Sequence, residues 1–154
     1  MGYAEASTVL NAPVEAVWHA LNDIDHTPDW VVGLKAAAIT TEGPYGEGTI
    51  YEDTNRLGPF LQVTPWRVTV FEPMTRQVHE SESATLPSKM TLTLTPTPEG
   101  TRLTMSVDYH FLPRLGPVGR LLENLLMNRM LGQVIAQNQA QLNVYLKRQA
   151  KTTV

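Results

Sequence analysis

No cysteine occurs in the 154 residues. Disulfides, thiolate metal sites and cysteine nucleophiles are excluded together. The absence fits a reducing compartment, and a cytoplasmic location is expected. Long apolar runs are missing as well. The most apolar stretch, residues 115–135, is broken by Arg120, Glu123, Asn124, Asn128, Arg129 and Gln133 and cannot span a bilayer. Residues 1–10 have no charged start followed by an apolar core, so they do not read as a secretory signal. Positive charge is not in excess either: the formal net charge is −3, which argues against nucleic acid as a partner.

Signatures of cofactor chemistry are equally scarce. His19, His26, His79 and His110 include no i, i+4 pair, and no spacing of His with Asp or Glu suits a metal-ligand set. Gly46-Glu47-Gly48 falls short of a G-x-G-x-x-G phosphate cradle and has no helix after it. No metal, nicotinamide or flavin cofactor is expected.

What remains is ordinary globular material. Apolar residues make up 42% and charged residues 18%, enough to bury a core without staples. The length suits one domain over residues 1–154.

The periodicity predicts an α+β chain. Residues 3–10 read as a strand. Pro13 opens a short helix, with Val14, Val17, Trp18 and Leu21 at i, i+3, i+4, i+7. Trp18 is expected to anchor that helix in the core. A second small turn or helix covers residues 26–30, where Trp30 packs the turn or lines a cavity mouth. From residue 34 the period becomes two, with strands expected at 36–41, 49–56, 61–71, 76–83 and 89–95, and a last one through Leu103 to Phe111. Pro65 implies that its strand is an edge or carries a bulge. Met90, Leu92 and Leu94 share one face, as do Leu103, Met105, Val107, Tyr109 and Phe111, which describes an antiparallel sheet with one buried face. A long helix over residues 119–149 closes the chain.

The order of these elements and several local motifs resemble one superfamily. Asn11-Ala12-Pro13-Val14-Glu15-Ala16-Val17-Trp18 followed by Asp23 and Asp29-Trp30, then Gly46-Glu47-Gly48-Thr49, Trp66-Arg67-Val68 with Glu72-Pro73, and residues 115–121 match its pattern in order and spacing. The chain is similar to the START / Bet v 1-like (SRPBCC) superfamily, in its polyketide cyclase/dehydrase branch. The resemblance implies a helix-grip fold: a curved antiparallel sheet of about six or seven strands around a long C-terminal helix, two short helices after the first strand, and a cavity between sheet and helix. It also implies a lipophilic ligand in that cavity, either a lipid or a polyketide or other polycyclic or aromatic compound.

On this reading the candidate ligand-binding residues are Tyr51, Trp66, Val68, Met90, Leu92, Met105, Val107 and Tyr109 from the sheet. Leu131, Val134, Ile135 and Asn138 complete the set from the helix. Asn138 interrupts an apolar stripe, and a buried amide needs partners that a ligand or cavity water would supply. The apolar stretch 115–131 is assigned first to cavity and core, ahead of a homodimer or membrane-touching surface. Glu52 and Asp53 lie on opposite faces of one strand. An inward acid would have a raised pKa, but a solvated face with Glu80 and Glu82, partnered by Arg56, Arg67 and Arg76, is preferred. His110 is expected in solvent. The pattern leaves the parity of the His79 strand open, so a cavity base is one use of His79. No catalytic residue is assigned. With no clear inward acid/base pair, binding is preferred to the alternative, a cyclase/aromatase that closes a poly-β-ketone by aldol chemistry and loss of water. An interaction protein is a third class, to which nothing in the sequence points.

Overall fold

The computed structural model describes residues 2–57, 59–81, 87–109 and 117–152. Seven strands form one antiparallel sheet: β1 (Gly2–Leu10), β2 (Leu34–Ile39), β3 (Ile50–Leu57), β4 (Phe60–Glu72), β5 (Arg76–Ser81), β6 (Ser88–Thr97) and β7 (Gly100–Tyr109). Their order in the sheet is β1-β7-β6-β5-β4-β3-β2. The chain therefore leaves at one edge and re-enters at the other. Helix α1 (Val14–Asn22) and a 3₁₀ segment (Ile24–Asp29) make that crossing, and α2 (Pro117–Thr152) follows the sheet. This is the helix-grip α+β architecture. At ~1.5 Å per residue α2 runs about 54 Å.

The apolar stripes explain why the layers meet. Val17, Trp18 and Leu21 of α1 are buried in one cluster with Leu92, Leu94, Leu103 and Met105 of the sheet and Ile135, Leu142 and Leu146 of α2. Trp18 is 5% exposed, and its ring lies 5.2 Å from that of Phe71. The inner face of β1 carries Gly2, Ala4, Ala6 and Thr8 before Leu10. These small side chains let α2 come close. Gln139 Nε2 donates to the Ala6 carbonyl at 2.9 Å, while Asn128 Oδ1 accepts from Tyr3 N–H and Asn143 Oδ1 from Asn11 N–H, both at 3.1 Å. Amide side chains of α2 thus hydrogen-bond the backbone of a sheet edge, where bare N–H and C=O groups would otherwise invite another chain.

Several expectations change. Pro65 lies in neither edge strand, since β4 sits between β5 and β3. It pairs in register with Glu52, and the described β4–β5 ladder ends at Trp66. The irregularity of β4 lies instead between Val68 and Val70. The apolar residues Val118, Leu121, Leu125, Leu126 and Met130 are exposed rather than core, whereas Leu131 packs against the core. Glu82, His110, Phe111 and Leu115 lie outside the described residues.

Candidate functional site

β6 and β7 have the alternation of a half-buried sheet, and their inner face fixes that of their neighbours through register. Gln77 pairs with Leu92, and His79 with Met90, so β5 turns Gln77, His79 and Ser81 inward. Ser81 pairs with Trp66, and Trp66 with Tyr51, which sets Tyr51 and Asp53 on the inner face of β3. The concave face is therefore apolar along β6 and β7 and polar along β3 and β5.

A cavity of about 120 Å³ lies at this junction. Its walls are Leu21 of α1, Ile24 and Thr27 of the 3₁₀ segment, Trp30 and Val31 after it, and Met90, Leu92 and Met105 of the sheet. Tyr51, Asp53, Trp66, His79 and Asn138 add polar groups. The volume is close to the ~150 Å³ of an engineered cavity that holds one benzene ring. Surface recesses of about 920 and 420 Å³ are larger, but they gather around Asn11–Pro13, and none of the inward polar groups of β3 and β5 lines them.

A chain of hydrogen bonds holds the polar end. His79 Nε2 is 2.9 Å from Gln77 Oε1, an acceptor, so Nε2 carries the proton. The bare Nδ1 accepts from the Tyr51 hydroxyl at 2.6 Å. Tyr45 donates to Gln77 Oε1 at 2.9 Å, and Gln77 Nε2 donates to Asn22 Oδ1. Tyr45 reaches in from the loop that precedes β3, where Gly48 N–H donates to the Val68 carbonyl at 2.8 Å and Gly48 has φ +91°. Only glycine takes that backbone conformation without strain.

Burial moves the titrations apart. Desolvation lowers the His79 imidazole to about 4 and raises the Asp53 carboxyl to about 7. The Tyr45 hydroxyl is pushed up by burial, and that of Tyr51 by burial and then by the Asp53 charge. At pH 6 imidazole and carboxyl are both neutral. Two buried side-chain atoms, Trp30 Nε1 and Asp53 Oδ1, have no hydrogen-bond partner, and both residues line this cavity. Among the described residues no group of three His, Asp or Glu side chains could hold a metal.

Of the residues expected from sequence, Tyr51, Trp66, Met90, Leu92, Met105 and Asn138 line this cavity. Val68 is fully buried in a second cluster with Tyr51. Val107, Leu131 and Ile135 pack in the main core. Tyr109 is buried elsewhere, its ring over Gly2 and its hydroxyl donating to Asn128 Oδ1. Val134 is a correction: at 37% exposure it lies on the outer side of α2, one residue out of step with the buried Ile135. Asn138 is also held differently, since its Oδ1 accepts from Val32 N–H at 2.9 Å and needs no ligand for that half of the amide. Glu52 and Glu80 are exposed as expected. Asp53 is not, and Arg76 pairs with Glu72 at 3.0 Å. Asp53 and His79, whose facing the sequence left open, both line the cavity. Sequence reasoning also missed Asn22, Tyr45 and Gln77; an aromatic residue set between the glycines of loop 43–48 was the available signal for Tyr45.

The sequence matches the family described as polyketide cyclase / dehydrase and lipid transport over residues 1–147. The chain belongs to that family. No curated protein sequence matches it. Among solved structures it is similar to a protein of unknown function, SA2116, from Staphylococcus aureus, with TM-score 0.80, 9% identity, and 97% and 95% of the two chains covered. It is also similar to a START superfamily protein from Mycobacterium smegmatis, with TM-score 0.77, 14% identity, and 96% and 99% covered. A third likeness is to the di-domain ARO/CYC StfQ from the steffimycin biosynthetic pathway, with TM-score 0.78 and 15% identity; it covers 97% of this chain and 51% of that one. Identities this low speak for the fold alone. No helix among the described residues is long and apolar enough to cross a membrane.

Proposed function

We propose that this family member binds a lipophilic small molecule in the cavity between the sheet and α2. The observation that carries the reading is the lining itself: apolar walls from four elements converge with a few inward polar groups, the usual make-up of a small-molecule site. The family description, which includes lipid transport, supports the same class of ligand. Titration with an environment-sensitive apolar dye and with acyl and polycyclic compounds should give saturable binding at micromolar strength. Met90→Trp, which fills the wall, should abolish it while urea melts report a folded protein. Equal dye binding in the folded Met90→Trp variant would show that the cavity is not the site.

Asp53 favours a second reading. A carboxyl whose pKa is raised to about 7 exchanges its proton near neutral pH, as a general acid or base must. That suits a cyclase/aromatase, in which Asp53 moves protons during aldol closure and dehydration at the end of a poly-β-ketone that enters the cavity. His79 suits this role less, because both its ring nitrogens are engaged. Conversion of a poly-β-ketone that is lost in a folded Asp53→Asn variant would decide for the enzyme. Binding without conversion would decide for the carrier.

A further inference from the structure

The cavity has two buried polar atoms left over. Tyr51 is engaged with His79, and Asn138 Oδ1 with the backbone of Val32. Trp30 is 6% exposed, yet its indole N–H has no acceptor. Asp53 Oδ1 is buried without a partner as well. The two are not bonded to each other, and both residues border the same space of about 120 Å³. Buried donors and acceptors left unpaired are costly, and each one in a native structure calls for a partner. The indole can only donate, whereas a carboxyl can accept and, when protonated, donate. Among the described residues no Lys or Arg lines the cavity, so none of them would neutralise an anion there.

We propose that this cavity is a subsite for one neutral, ring-sized group bearing a hydroxyl, of the phenol class, which accepts from Trp30 Nε1–H and bonds Asp53 Oδ1. The proposal rests on the reading of the cavity as a small-molecule site and adds what that reading leaves open, namely which end of a ligand goes in. A hydroxyl both donates and accepts, so it answers both orphaned atoms. A carboxylate cannot donate, and a carboxylate or a phosphate would carry an unpaired charge into an apolar space. A plain hydrocarbon ring would leave both atoms unpaired.

Three probes of similar ring size separate these cases: phenol, toluene and benzoate, titrated at pH 6. The readout is the indole N–H resonance of Trp30 in a proton–nitrogen correlation spectrum, assigned by its loss in Trp30→Phe. Phenol should shift that resonance and bind at least tenfold more tightly than toluene, with benzoate weaker than both. Asp53→Leu and Trp30→Phe should each bring the phenol-to-toluene ratio toward one, the latter followed by equilibrium dialysis. Asp53→Asn, which keeps a donor and an acceptor, should preserve much of the preference. Equal binding of toluene and phenol to the wild type would overturn the subsite, as would benzoate binding as tightly as phenol. Neither result depends on a variant folding. If none of the three binds while larger acyl or polycyclic compounds do, the subsite falls and the cavity reading stands; if those compounds also fail, both fall.

Discussion

The opposed titrations of Asp53 and His79 predict a stability profile that is flat in the wild type and steep, with opposite signs, in two single variants. Each pH unit between a folded and an unfolded pKa is worth about 1.4 kcal/mol. His79 titrates at about 4 in the fold against an ordinary 6.5. As pH falls below 6.5 the unfolded chain takes up the proton and the fold does not, so about 3 kcal/mol is lost by pH 4. Asp53 behaves in the reverse sense, with about 7 in the fold against an ordinary 3.8. As pH rises above 3.8 the unfolded carboxyl ionises while the folded one stays neutral, so about 4 kcal/mol is lost by pH 7. The two nearly cancel between pH 4 and 7. Asp53→Asn removes the carboxyl, and its stability should rise by about 4 kcal/mol from pH 4 to 7 relative to wild type. His79→Gln removes the imidazole, and its stability should fall by about 3 kcal/mol from pH 4 to 6.5 relative to wild type. Urea melts at unit pH steps measure this, and subtracting the wild-type curve removes the contribution of surface groups common to all three proteins. Parallel curves for wild type and Asp53→Asn would show that Asp53 titrates as an exposed carboxyl, which would refute the placement of its oxygen in the cavity.

Two further changes probe the frame. Trp18→Ala should cost about 3–5 kcal/mol in urea melts, as large buried truncations do; a loss under about 1 kcal/mol would be that of an ordinary substitution and would contradict its place against Phe71. Met74→Gly should stabilise by about 1 kcal/mol, because Met74 holds φ +63° in the turn closed by Thr75 N–H to the Glu72 carbonyl at 3.0 Å; an unchanged or lower urea midpoint would show that the left-handed conformation carries no strain there.

The fold was legible where side chains followed the sheet and helix periods. Met90, Leu92, Leu94, Leu103 and Met105 alternate with Thr, Arg and Ser, and no arrangement other than one buried face satisfies that pattern. The stripe of α1 and the long apolar rows of α2 were equally plain. Boundaries slipped by up to three residues, as at β2, expected over 36–41 and found at Leu34–Ile39. The α2 stripe was read too broadly. Apolar residues outnumber what one face of the helix can bury, so Val134 and five residues before it point to solvent, and composition alone cannot say which leucines those are.

The site was much less legible, and the reason is specific to β3 and β5. Pattern reading equates the inner face with the apolar one. On β5 the inner positions are Gln77, His79 and Ser81, and on β3 they include Asp53. A strand whose buried side is polar carries no alternation from which parity can be read. Parity there comes only from pairing: His79 faces inward because it sits opposite Met90, and Tyr51 because it sits opposite Trp66, itself opposite Ser81. Long-range register is the information a single sequence holds least openly. The burial of an acid and an imidazole in the same cavity follows from it, so the sequence could name both residues without showing that they meet. Such exceptions to the apolar rule are expected where a protein keeps space for a ligand, because local patterning is broken where function requires polar groups inside. The unpaired Trp30 and Asp53 atoms mark the same place from the opposite direction: among the described residues the other buried side-chain N and O atoms have partners, and these two, both on residues that line the cavity, do not.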